Sequence, residues 1–279
     1  MTNSFFYREN CPACQSKQRK IKFYSTLDSS KASSKDYVGT NTGYGKYHDM
    51  YECLSCHVLY MSPIDDALDQ LCAEVVDEDY LASWEERALM FQEHLDEIKK
   101  YVTKGRLLDV GCYAGIFLNE AKKQNFDVVG IEPSTWAAEY ARSKVGCLVY
   151  QGTLEKHELP KGEFDIVTIW DVIEHLFDPK LSIEKAYDAL KIGGHIAITT
   201  HDIHSVFARV LGKNYPWLMR FHLVHFSPLT LANLLRSVGF EIKDIIFYKK
   251  ALSVNYFLKR IGIQTPLNSF TRKRLAFNT

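Results

Sequence analysis

The chain lacks an excess of charge of either sign: 34 lysines and arginines are matched by 34 aspartates and glutamates. Without a net basic field there is no long-range attraction for a nucleic-acid backbone, so a small-molecule partner is expected rather than a nucleic acid. Long uncharged apolar runs are also missing, and the N-terminus is polar and aromatic rather than basic and then apolar. The expectation is a protein that neither crosses a membrane nor is exported, with the cytoplasm as its compartment. No internal repeat is visible. At 279 residues, 46% hydrophobic and 24% charged, the chain suffices for one substantial core and a small accessory module.

What is present is concentrated between Leu107 and Glu132. Leu107, Leu108, Asp109, Val110, Gly111, Cys112, Tyr113, Ala114 and Gly115 follow a strand-like apolar run and precede a helical pattern. That order describes a nucleotide-binding turn. Asp127, Val128, Val129, Gly130 and Ile131 then read as a second buried strand with Glu132 at its tip. This acid lies about 20 residues past the glycines, where it can take ribose hydroxyls. Asp109 decides between cofactors: a carboxylate beside the first glycine repels a diphosphate but suits a ligand carrying an ammonium and a sulfonium.

These residues resemble the first motif of the class I S-adenosylmethionine-dependent methyltransferases, acid-x-Gly-x-Gly-x-Gly, with Tyr113 in place of the middle glycine. The resemblance implies an α/β Rossmann-like methyltransferase sheet with helices on both faces, and S-adenosylmethionine as cofactor. It implies contacts from Asp109, Gly111, Cys112, Tyr113, Gly115 and Glu132, with an aromatic ring near the methionine end. Pro133, Thr153, Leu154, Trp170 and Asp171 are carried over as further contacts; Thr153 stands where relatives often have an aspartate.

Seven cysteines are unevenly spaced. Cys11 and Cys14 form one C-x-x-C pair, Cys53 and Cys56 a second, and Cys72, Cys112 and Cys147 stand alone. Two thiolates two residues apart on a tight turn reach one ion, so the four paired cysteines point to a structural zinc in a ribbon-like N-terminal module. The span between the pairs exceeds the usual ribbon spacing and suits a flexible hairpin insertion, with a Ser/Lys-rich piece at 29–35 and a Gly-rich piece at 39–45. Cys53 to His57 also spells a haem-attachment motif, set aside because covalent haem is attached outside the cytoplasm and Cys11 and Cys14 would go unexplained. A dithiol redox pair is a further alternative.

Three regions are expected: the zinc-ribbon-like module at 1–62, a linker and helix at 63–104, and the cofactor domain at 105–279 with a lid insertion near 201–226. Trp84, Ala88, Phe91, Leu95, Ile98 and Val102 line one helical face, with Gly105 at its end. Beyond Arg106, strands are expected near 106–110, 126–131, 147–150, 164–170, 194–200 and 240–248. Helices are expected near 115–124, 135–144, 179–191 and 228–238. Asp178 with Pro179, and Ser227 with Pro228, open two of them; Gly193 and Gly239 close them. The resemblance implies a seventh strand around 252–258, which reads equally well as helix.

The strand from Phe164 to Trp170 delivers Trp170, Asp171, Glu174 and His175 to the edge where open α/β sheets bind ligands. The run from Asp171 to Pro179 is similar to the equivalent motif of ubiquinone-biosynthesis O-methyltransferases, and unlike the Asn/Asp-Pro-Pro-aromatic signature of nucleobase amino methylation. Methyl transfer from a sulfonium needs an aligned nucleophile and a proton acceptor. His175 is the candidate base, with Glu174 beside it; the alternative is that both only cap or pair locally. The segment 201–226 carries His201, His204, His222 and His225 among aromatics and is expected to act as a lid. Spacing puts His222 and His225 on one helical face, as second candidates for catalysis or as ordinary packed histidines.

The expected function is methylation of a small molecule, on oxygen of a sugar or other metabolite. Carbon methylation of a nucleotide-linked sugar is the alternative, and so is a noncatalytic cofactor-binding protein that docks a partner through its zinc module. Acceptor identity and oligomeric state are left open.

Overall fold

The computed structural model describes residues 4–27, 32–38, 45–247, 249–253 and 274–278. In chain order its main elements are β1 (Arg19–Phe23), β2 (Met50–Cys53), β3 (Leu59–Met61), α1 (Leu68–Ala73), α2 (Glu78–Ala82), α3 (Trp84–Ile98), β4 (Gly105–Val110), α4 (Ile116–Lys123), β5 (Phe126–Glu132) and α5 (Thr135–Val145). There follow β6 (Leu148–Gln151), β7 (Phe164–Trp170), α6 (Pro179–Ala189), β8 (Leu190–Thr199), α7 (Val206–Leu211), β9 (Val224–His225), α8 (Pro228–Val238), β10 (Lys249–Ser253) and β11 (Arg274–Asn278). These elements fall into two compact units.

The larger unit comprises Met1–Phe5, Lys31–Thr40 and Asp65–Thr199. Its sheet is parallel, in the order β8-β7-β4-β5-β6. The chain leaves β4 toward β5 and β6, then returns to the other side of β4 for β7 and β8. The order therefore reverses between β4 and β7, and open α/β sheets bind ligands beyond the C-terminal ends of the strands at such a point. Both faces of this sheet are covered, and its middle strands are accordingly apolar throughout: Leu107, Leu108, Val167 and Ile169 are fully buried. The expected helical stripe packs as read. Ala88, Phe91, Leu95 and Ile98 of α3 join Phe117, Leu118 and Ala121 of α4 in one apolar cluster, with Trp84 and Val102 against it.

Local rules account for most boundaries. Asp178 caps α6 by accepting from the Leu181 amide at 3.0 Å, with Pro179 in the first turn. Ser134 caps α5 by accepting from the Ala137 amide at 3.1 Å. Two punctuation residues act differently from expectation. Gly105 opens β4 instead of closing α3, which ends at Ile98. Gly193 lies within β8, where the register with β7 shifts between Leu190 and His195, while α6 has already ended at Ala189.

The second unit comprises Phe6–Ser30, Asn41–Ile64 and Thr200–Thr279. Its sheet is antiparallel, in the order β9-β3-β2-β1. Residues 200–279 thus group with the cysteine-bearing segments, whereas the sequence reading joined them to 105–199. Within the expected linker and helix at 63–104, the part ahead of Trp84 contains α1 and α2. α8 is closed as expected by Gly239 in the left-handed region, after Ser227 caps its start. No strand forms over 240–248 among the described residues: 241–247 runs without assigned structure and the next strand begins at Lys249. That strand pairs antiparallel with β11 in a separate two-stranded sheet. Of the expected seventh strand around 252–258, residues 254–258 lie outside the described residues, as do parts of the 29–35 and 39–45 pieces. Among the described residues no helix is long and apolar enough to cross a membrane.

Candidate functional site

The turn after β4 is built from its backbone outward. Gly111 has a φ of 72°, and a Cβ there would lie 2.5 Å from Cγ2 of Val172, so only glycine fits. The amides of Gly111 and Cys112 both donate to the carbonyl of Ile131, at 2.8 and 3.1 Å, which fastens the turn to the end of β5. The Cys112 thiol is buried in the core beneath, so this residue contributes backbone to the turn. Tyr113 is left-handed, with a φ of 46°, and Gly115 precedes α4.

Glu132 is held by amides on both oxygens: Tyr113 N donates to Oε2 and Ser134 N to Oε1, each at 2.8 Å. A carboxylate accepts about four hydrogen bonds, so sites remain for a ligand's hydroxyls. Pro133 lies between these contacts, and the Gly152 amide donates to the Glu132 carbonyl at 2.9 Å. That bond brings the Thr153 and Leu154 turn to the same strand end. Asp109, at the tip of β4, accepts from the Thr168 hydroxyl at 2.7 Å. Both carboxylates are almost closed to solvent, and neither forms an ion pair among the described residues. Burial pushes Asp109 up to about 8, opposed by the Thr168 hydrogen bond and reinforced by the charge of Glu132. Burial likewise raises Glu132 to about 7, against the pull of the Ser134 and Tyr113 amides. Two buried acids without a cationic partner fit a ligand that brings its own positive charge.

Sequence reasoning missed the segment that joins this turn. The Tyr113 hydroxyl donates to the Asp77 carbonyl at 3.2 Å, and its ring meets Tyr80 edge-on at 4.6 Å. Ser134 Oγ donates to the Val75 carbonyl at 2.7 Å. The Arg87 guanidinium lies 3.6 Å from the Tyr80 ring centre. Enclosure pushes the Tyr80 phenol up, offset by Arg87, with the charges of Asp171 and Asp109 adding to the rise. Asp77, which caps α2 and leads an acidic turn, was the available signal.

At the end of β7, Asp171 is left-handed, with a φ of 52°, and is pinned to Thr199. Its amide donates to the Thr199 carbonyl at 3.1 Å and to the hydroxyl at 3.0 Å; that hydroxyl also donates to Oδ1 of Asp171 at 3.0 Å. Trp170, half-buried, packs against the apolar cluster with its ring 4.7 Å from His94 and 5.2 Å from Phe117. Ile173–His175 forms a single 3-10 turn in which Glu174 is buried and His175 half-buried.

In the second unit the four paired cysteines converge, their sulfurs all within 4.8 Å of one another. Cys11 and Cys56, and Cys14 and Cys53, lie 3.5 Å apart. The sulfurs of a tetrahedral zinc site with bonds of about 2.3 Å are about 3.8 Å apart, so the set fits such an ion. The two knuckles share one geometry. Gln15 and His57 both have a φ of 62°, and donate to Cys11 O and Cys53 O at 2.9 and 3.0 Å. Hydrogen bonding from Cys11 lowers the Cys56 thiol to about 5, while Cys11 itself is raised, chiefly by the same pairing.

His222 and His225 also belong to this unit. His225 sits on β9 and His222 in the turn before it, so they share no helical face. Their rings nevertheless lie 5.9 Å apart, with His201 5.6 Å from His222, and His222 Nδ1 pairs with the Trp217 carbonyl at 2.7 Å. The expected lid at 201–226 is therefore a folded part of the unit, containing α7 and β9.

Residues 82–245 match the sequence profile of a methyltransferase-domain family. A ubiquinone biosynthesis O-methyltransferase from Shewanella halifaxensis is 27% identical over 192 residues, covering 60% of this chain and 81% of that protein. One of the same name from Aliivibrio fischeri is 36% identical over 115 residues, 38% of this chain and 49% of that protein. Among solved structures, a Thermotoga maritima S-adenosylmethionine-dependent methyltransferase, named a possible histamine N-methyltransferase, superposes with a TM-score of 0.50. It is 25% identical and covers 72% of this chain and 88% of its own. An S-adenosylmethionine-dependent methyltransferase from Archaeoglobus fulgidus shares the fold with a TM-score of 0.53 at 22% identity, over 64% of this chain and 81% of its own.

Proposed function

Since the chain belongs to the methyltransferase-domain family, we propose that it methylates an oxygen of a small molecule, a sugar hydroxyl or that of another metabolite, with His175 accepting the proton. It is a class I S-adenosylmethionine-dependent methyltransferase. When bound, the cofactor supplies a methyl group activated by a sulfonium.

In this reading Asp109 faces the cofactor's cationic end and Glu132 takes the ribose hydroxyls. Gly111, the backbone of Cys112 and Tyr113, and Gly115 shape the turn. Pro133, Thr153 and Leu154 flank the nucleoside, and Asp171 is a further cofactor contact at the end of β7. The acceptor oxygen is aligned for in-line attack and its proton passes to the His175 imidazole, then to water. Cys11, Cys14, Cys53 and Cys56 hold a structural zinc whose four thiolates leave no open position for chemistry.

One observation carries the catalytic assignment: Val172 packs over Gly111, and the turn it starts presents His175 three residues later, the His175 amide donating to the Val172 carbonyl at 2.9 Å. Glu174 in the same turn is 2% exposed, so the half-buried imidazole is the group within reach of an incoming hydroxyl. The curated relatives named for O-methylation support oxygen over carbon.

The test is acceptor-dependent formation of S-adenosylhomocysteine against phenols, sugars and nucleotide-linked sugars, with mass analysis of the product. Methyl ethers are the expected product. A new carbon-carbon bond on a nucleotide-linked sugar, with no methyl ether from any hydroxyl acceptor, would overturn the oxygen assignment.

A further inference from the structure

The cysteine centre and the histidine-bearing segment share one small sheet. Cys53 ends β2 and Cys56 lies in the turn that follows. The Cys53 amide donates to the Val58 carbonyl at 3.0 Å, so the knuckle runs straight into β3. β3 in turn pairs with β9, Val224 opposite Tyr60 and His225 opposite Leu59, and the Met61 amide donates to the Leu223 carbonyl at 2.9 Å. Only two residues, His57 and Val58, separate Cys56 from Leu59, the partner of His225.

A two-residue strand cannot hold itself, because a short ladder stabilises too little to offset the backbone entropy it fixes. β9 is ordered as the fourth strand of this sheet, and the strands it leans on are short themselves. Sheets of this size usually need a staple beyond their apolar core. The cysteine quartet is the staple in reach. Two further ties run from the same half of the unit: the Tyr47 hydroxyl donates to the Lys213 carbonyl at 3.0 Å, and the Gly45 amide to the Leu218 carbonyl at 3.1 Å. The contact surface is dry, with Tyr60, Met61, Leu223, Val224 and Phe226 at 0% exposure.

We propose that metal at Cys11, Cys14, Cys53 and Cys56 anchors β3 and, through its pairing with β9, sets the positions of His222 and His225. The metal takes no part in the reaction; the cysteines act on the histidines through the sheet. The inference rests on the zinc reading above.

The test uses the full chain, zinc-loaded and after chelation, with hydrogen exchange followed by peptide mass analysis. Chelation is expected to raise amide exchange over 222–226 by at least about 10²-fold, together with 53–61, while 105–135 in the other unit is unchanged. Zinc, added back, restores protection. Cys14→Ser, at the exposed member of the quartet, is expected to reproduce the effect in part. Three outcomes overturn the proposal: unchanged protection at 222–226 when the knuckles lose theirs, loss of protection at 105–135 to the same extent, or a chain indifferent to both chelator and zinc. Turnover of His222→Gln and His225→Gln tests separately whether the anchored histidines also serve the reaction. If both retain it while the exchange result holds, the anchoring stands and the histidines are only structural.

Discussion

The amide of Tyr113 donates to Oε2 of Glu132 over 2.8 Å, so the residue that interrupts the glycine pattern and the acid closing the next strand form one hydrogen-bonded unit. The left-handed backbone at Tyr113 is one that glycine adopts without strain and a tyrosine does not. Its cost, of order 1 kcal/mol or more, is offset by the hydroxyl bond to Asp77 and by ring contacts with Tyr80 and Trp136.

Tyr113→Phe removes only the hydroxyl and is expected to lower stability by about 0.5–1.5 kcal/mol. Tyr113→Gly relieves the backbone but loses the ring, and is expected to weaken cofactor affinity more than Tyr113→Phe does. Denaturant titration and calorimetry on both variants decide it. Equal cofactor affinity in Tyr113→Gly and the parent chain would show that the ring plays no part in the site.

Asp109 and Glu132 are expected to make cofactor binding pH-dependent. Their folded-state pKa values, about 8 and about 7, lie above the ordinary 3.8 and 4.5. The stability they confer in protonated form is complete below about pH 4 and is lost as pH rises through about 7 to 8. A cationic ligand favours the ionised carboxyls, so affinity for S-adenosylmethionine is expected to rise between pH 5.5 and 7.5, the increment in melting temperature rising with it. S-adenosylhomocysteine, without the sulfonium, is expected to show a shallower slope. Asp109→Asn is expected to flatten the profile and cost on the order of 1–3 kcal/mol of affinity. A profile equally steep in that variant would remove Asp109 from the cation's side.

Metal analysis of protein purified without chelator is expected to find about one zinc per chain. Cys53→Ser opens the tetrahedron at a buried ligand and is expected to abolish stoichiometric zinc while leaving cofactor affinity nearly intact, since the two sites lie in different units. Zinc at parent stoichiometry in this variant would contradict the ligand set.

His175→Asn is expected to keep cofactor affinity and lower turnover by about 10² to 10⁴, with a smaller loss for acceptors whose hydroxyl is already acidic. A small loss that ignores acceptor acidity would instead mean that alignment alone drives the transfer.

Much of the turn after β4 could be read from the chain because its determinants are local. Asp109, Gly111 and Glu132 are set by spacing along two strands, and the strands from Arg106 to Thr199 announce themselves as apolar runs between capped helices. Tyr80 and Asp77 escaped notice because 63–80 has no period, and their role comes from contacts with Tyr113, 36 residues away from Asp77. β9 was equally silent, since two residues carry no alternation. The opposite error fell at 240–248, where an alternating pattern suggests a strand. Ile245, Ile246 and Phe247 are exposed there, and no partner strand is assigned to them.

The second unit is assembled from three separate stretches of chain, Phe6–Ser30, Asn41–Ile64 and Thr200–Thr279, with the other unit's residues threaded between them. No single cut therefore divides the protein into its units, and neither could have been joined to the other as a bead on a string. A transplant of residues 82–245 into a new host would carry His222 and His225 along but leave behind Leu59 and Tyr60, the residues that hold their strand. The histidine segment is thus separated, by any such cut, from the strand it pairs with.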